Sequence, residues 1–157
     1  MNSCYVFSLI SFGMLSVVLL QSFFPFYIIQ ASPMSFLILT SMVYLFTETL
    51  IMFFFVGTGV SIRDYCHEHQ LTGTFHKRSI GIKRRIYPPQ LLNILLLMTA
   101  FILYGAADTG KVSLWVYRLA LGIGLGHFLY AKWIQNKCFR DNTNIVLEMS
   151  GLKPIPP

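Results

Sequence analysis

The 157-residue chain is 55% hydrophobic and 15% aromatic, and only 11% of it is charged. A water-soluble domain carries charge on about a quarter of its residues, so lipid must cover much of this surface. The net charge of +6 comes without a recognition motif or stacking pattern, which argues against nucleic acid as a partner. Cys4, Cys66 and Cys138 are too few and too scattered for a disulfide framework or a zinc knuckle.

The expected fold is all-α: a polytopic integral membrane protein with four transmembrane helices arranged as two hairpins. Residues 5–24 carry no charge and are long enough to cross a hydrocarbon core of about 30 Å. No Lys or Arg precedes this run and no small-x-small cleavage site follows it, so a retained helix is expected rather than a cleaved signal. Pro25 and Gln30-Ala31-Ser32-Pro33 then make a short turn. The second span, residues 34–60, is interrupted only by Glu48, and Gly57-Thr58-Gly59 reads as its exit or as a close-packing site.

Residues 61–89 follow as a basic inner loop carrying Arg63, Lys77, Arg78, Lys83, Arg84 and Arg85 against Asp64 and Glu68. Pro88-Pro89 sits where a new helix can begin, proline being tolerated in a first turn. The third span is residues 90–107 and the fourth 114–134, with Asp108, Gly110 and Lys111 in the turn between them. Trp115 and Tyr117 at one end of the fourth span, and Tyr130 and Trp133 at the other, suit the two interfacial aromatic belts. Residues 135–157 read as a polar tail whose prolines argue against a further helix. Basic residues mark the cytoplasmic or matrix side. The loop, with Lys132, Lys137 and Arg140, therefore places both termini inside, in a bacterial inner membrane or an organellar one.

Ionisable side chains within a bilayer face protein or water rather than lipid. At 100° per residue, Ser41, Tyr44, Glu48, Met52, Phe55 and Gly59 share one face of the second helix. His127 lies at a depth similar to that of Glu48, and Asn93 shares a stripe of the third helix with Gln90, Ala100 and Tyr104. Glu48, Asn93 and His127 are thus expected to form an intramembrane polar cluster. It would either hydrogen-bond the helices into register or bind a ligand and move a proton.

Gly122, Gly124 and Gly126 beside His127 would make room for a haem b macrocycle. A single intramembrane histidine supplies one axial ligand, however, so a bis-histidine haem would need a partner chain. Cys66, His67 and His69 offer metal-ligand chemistry, but near-consecutive residues cannot all point at one ion from a regular helix or strand. Lys83, Arg84 and Arg85 suit anionic lipid headgroups.

Signatures of hydrolases, P-loop enzymes and metalloproteases are missing. The sequence therefore favours a non-catalytic membrane subunit, partnered by lipids and other membrane subunits, of a larger assembly such as a respiratory or redox complex. The alternative is a small proton-coupled transporter using Glu48.

Overall fold

The structure is a computed structural model that describes residues 2–24, 26, 32–70 and 73–153. The described residues form four helices: α1 (Asn2–Phe23), α2 (Pro33–Glu68), α3 (Thr74–Asp108) and α4 (Leu114–Met149). No strand occurs among the described residues. All four helices are long and apolar enough to cross a bilayer, and the chain is an all-helical polytopic membrane protein. No apolar window has more than 39% of its residues buried within the chain, so most of each span faces outward to lipid or to another protein.

Helix boundaries follow local chemistry. Ser32 caps α2 by accepting a hydrogen bond from the Ser35 N–H at 3.2 Å, and Pro33 takes the first helical position. The α3–α4 turn closes through Gly110, whose φ of 73° lies in the left-handed region that ends many helices. Ser113 then caps α4 at the Trp115 N–H. At the far end of α4, Gly151 has φ 73° and the Leu152 N–H reaches back to the Leu147 carbonyl at 2.9 Å, a Schellman-type stop.

The largest departure from the sequence reading is at residues 61–89 and 135–157. Among the described residues, the expected basic loop is helical apart from residues 69, 70 and 73. α2 runs on to Glu68, α3 begins at Thr74, and Pro88-Pro89 lies inside α3 rather than at its start. The expected polar tail continues α4 to Met149; Pro154, Pro156 and Pro157 lie outside the described residues. Gly59 is interior to α2, where a Cβ would collide with the Lys83 side chain. Close packing, not a helix end, is what the glycine provides.

These extensions give the molecule its shape. α1 has 22 residues, whereas α2, α3 and α4 have 36, 35 and 36. At ~1.5 Å per residue the long helices exceed α1 by about 20 Å. Tyr5, near the start of α1, donates to Asn136 of α4 at 2.7 Å, which fixes the end from which the excess projects. The C-terminal part of α2, the N-terminal part of α3 and the C-terminal part of α4 thus form a three-helix stalk beyond the apolar spans.

Two apolar cores fill the bundle. One, around Leu15, Leu37, Leu97, Leu121 and Phe128, lies within the spans. The other, around Phe55, Ile62, Ile86, Cys138 and Ile145, runs from the spans into the stalk. Between them sits a layer of buried polar residues.

Candidate functional site

Glu48 is the centre of that layer. Its side chain is 2% exposed, and α2 directs it between α3 and α4. Lys132 Nζ approaches Oε1 at 2.6 Å, while Gln90 Nε2 and Gln135 Nε2 donate to Oε2 at 2.9 and 3.0 Å. Gln90 Nε2 also lies 2.9 Å from the Glu48 carbonyl, and Lys132 donates to Gln135 Oε1 at 2.9 Å. A buried charge is tolerated only when paired and hydrogen-bonded, and here both ions meet that condition. Lys132 completes its surroundings with the Phe128 ring, 4.8 Å from Nζ to the centroid.

A second group lies alongside. Asn93 donates to the Tyr44 hydroxyl at 2.8 Å, and its Oδ1 is 3.2 Å from His127 Nδ1. Tyr44 and Glu48 are successive turns of α2, and Gln90 and Asn93 are successive turns of α3. The two groups therefore form a ladder that ties α2, α3 and α4 together. Beside it, Ser11 on α1 meets Thr47 of α2, with 2.8 Å between the hydroxyls. Lys132 is one turn from Asn136, the partner of Tyr5, so the ion pair lies about 10 Å below the start of α1.

The expected trio is thus only partly assembled. Asn93 and His127 meet directly, but Glu48 pairs with Lys132 and not with His127. Lys132 and Gln135 were hidden because they stand near the end of the fourth apolar run, where a lysine reads as a topological charge. The available signal was Glu48 itself, since a buried carboxylate at that depth requires a cation.

Haem fits this arrangement poorly. A Cβ at Gly122 or Gly126 would meet nothing within 4 Å, whereas one at Gly124 would lie 2.7 Å from Leu97. Two of the three glycines beside His127 therefore open outward, and the third serves helix packing; they enclose no macrocycle cavity inside the bundle. The metal candidates also separate. Cys66 is buried among the stalk's apolar residues, while His67 and His69 are exposed and His69 packs against Tyr65. No group of three or more His, Cys, Asp or Glu side chains among the described residues is placed to share a metal ion.

The Lys83-Arg84-Arg85 run is likewise divided. Arg85 pairs with Asp141 at 3.3 Å and Lys83 lies against Gly59, leaving Arg84 exposed. At the opposite end of the bundle, Arg118 donates to the Ser22 carbonyl and packs over the Phe23 and Trp115 rings. It supplies a partner for one of the orphan carbonyls at the end of α1. Comparison with protein-family models, curated proteins and solved structures finds no match.

Proposed function

We propose that this chain is a non-catalytic integral membrane subunit whose stalk docks onto another component of a membrane assembly. The observation that carries this reading is the stalk itself. About 20 Å of three-helix structure is more than four spans need to connect, and it holds eight of the chain's twelve Lys and Arg residues. Ion pairs hold Arg63, Arg78 and Arg85, while Lys77, Arg84, Lys137 and Arg140 remain exposed without one among the described residues. Such a surface suits an acidic partner by charge complementarity. By the positive-inside rule the stalk and both termini belong on the cytoplasmic or matrix side of an inner membrane.

The polar ladder has a structural part in this reading. It holds the spans in register beneath the stalk, so that a load on the stalk is resisted by the whole bundle. A proton carrier built on Glu48 is the weaker alternative, because a proton arriving there would displace Lys132 from the pair that neutralises it.

Co-purification in mild detergent tests the proposal. A partner recovered in fixed stoichiometry, and lost when Lys77 and Arg84 are changed to Glu, supports it. A homo-oligomer that moves protons by itself in liposomes overturns it.

A further inference from the structure

α1 meets α4 over a much shorter stretch than it meets α2. The gap left between α1 and α4 is a recess of about 250 Å³, walled by Leu9, Phe12, Leu129 and Phe139 with Ser8 on its rim. Leu9 is 73% exposed and Leu129 55%, so the recess opens sideways toward the acyl region. It runs along α1 from Cys4 to Phe12, about 12 Å at the helical rise.

At its stalk end it shares Asn136 with a second recess of about 200 Å³, lined by Trp133, Asn136, Lys137 and Arg140. Here the chemistry changes from apolar to cationic. Lys137 Nζ lies 3.5 Å from the centre of the Trp133 ring, and neither Lys137 nor Arg140 has an ion-pair partner among the described residues. Asp141, the adjacent acid, is engaged by Arg85. Lys132 on the apolar side is already neutralised by Glu48, so the uncompensated charge belongs to Lys137 and Arg140.

We infer that these two recesses form one binding site for an anionic phospholipid. The acyl chain lies in the α1–α4 gap, and the phosphate is held by Lys137 and Arg140 at the level of the Trp133 indole. Apolar wall, interfacial tryptophan and unpaired cations follow one another along α4 in the order of a lipid's own parts. The Tyr5–Asn136 hydrogen bond stands between the two halves, where the glycerol region would lie. The headgroup site is therefore on α4, not on the Lys83-Arg84-Arg85 run, where Arg85 is paired with Asp141 and Lys83 lies against Gly59.

The chain holds two tryptophans, so Trp115→Phe leaves Trp133 as the only indole reporter. The full-length protein carrying that change is reconstituted into phosphatidylcholine vesicles with a minor fraction of phosphatidylglycerol brominated on its chains. Trp133 quenching is expected to report a local phosphatidylglycerol fraction several-fold above the bulk. Loss of each cation should weaken the preference roughly five-fold, so Lys137→Gln/Arg140→Gln should return quenching to the bulk value. Ser8→Phe, which fills the apolar recess, should also reduce quenching, with helicity and melting confirming that each variant folds. Quenching that follows bulk composition in the parent protein overturns the site. So does an equal loss in Lys77→Gln/Arg84→Gln, which would assign the effect to general stalk charge. Unchanged quenching in folded Ser8→Phe overturns the seat of the acyl chain.

Discussion

The same ion-pair chemistry occurs in two settings in this molecule. Within the spans, Glu48 and Lys132 have side chains 2% and 18% exposed. In the stalk, Arg78 and Glu148 are 49% and 31% exposed, and Arg85 and Asp141 are 64% and 40% exposed. The buried pair must be complete, because neither ion has water to fall back on; the stalk pairs can open at little cost. Burial, not the number of ion pairs, decides which contacts hold the helices together.

Removing one partner from each setting should give the largest contrast. Lys132→Met leaves the Glu48 carboxylate buried without its cation and is expected to destabilise the protein by ~3–5 kcal/mol. Arg78→Met should cost under about 1 kcal/mol. Glu48→Leu combined with Lys132→Met should be less damaging than Lys132→Met alone, since no unpaired charge remains. Unfolding in detergent, followed by helicity, checks all three, and equal losses for the two single variants would remove the distinction.

Glycine substitutions sharpen the contrast through packing. A methyl group at Gly124 would lie 2.7 Å from Leu97 in the rigid span core, and Gly124→Ala should cost ~1–3 kcal/mol. At Gly59 the obstacle is the far end of Lys83, a flexible side chain that can swing aside, so Gly59→Ala should cost less. Gly122→Ala and Gly126→Ala meet open space and should stay within about 0.5 kcal/mol of the parent.

Smaller effects are expected in the second half of the ladder. Interhelical hydrogen bonds in membranes average ~0.6 kcal/mol, and Asn93→Leu with His127→Gln should couple by about that amount in a double-mutant cycle. Glu48→Gln with His127→Gln should couple less, because no direct bond joins them. A reversed order would restore the sequence-based grouping of Glu48 with His127.

The smallest effect is a pH dependence confined to the stalk. The hydrogen bonds from Arg78 hold the Glu148 carboxyl below its ordinary value of 4.5, and Glu148 in turn raises Arg78. A carboxyl lowered in the folded state contributes stability above its unfolded value, and that contribution is lost as pH falls through the folded one. Acidification below about pH 4.5 should therefore increase hydrogen exchange at the end of α4, and Arg78→Gln should abolish that dependence.

How much of this was legible in the sequence differs between the same two regions. The four apolar runs marked the spans, and the positions of Glu48, Asn93 and His127 marked them as polar residues facing protein. The stalk was missed because its charges read as loop and Pro88-Pro89 reads as a helix start. Yet the helical period was present. Ser79, Ile82, Ile86, Gln90 and Asn93 are all buried on one face of α3, as are Gln135, Cys138, Asn142 and Ile145 on α4. Gly151, just beyond Ser150, also marked the end of α4 rather than the interior of a tail. Charge density outweighed periodicity in the reading, although a helix tolerates charge on any face that meets water.

Amide hydrogen exchange of the full-length protein in a membrane mimetic tests the stalk most directly. Residues 62–68, 76–87 and 135–149 are expected to exchange far more slowly than unstructured chain, with the buried faces of α3 and α4 slowest. Exchange at unstructured-chain rates throughout 61–89 and 135–149 would contradict the three-helix stalk and return those segments to a loop and a tail.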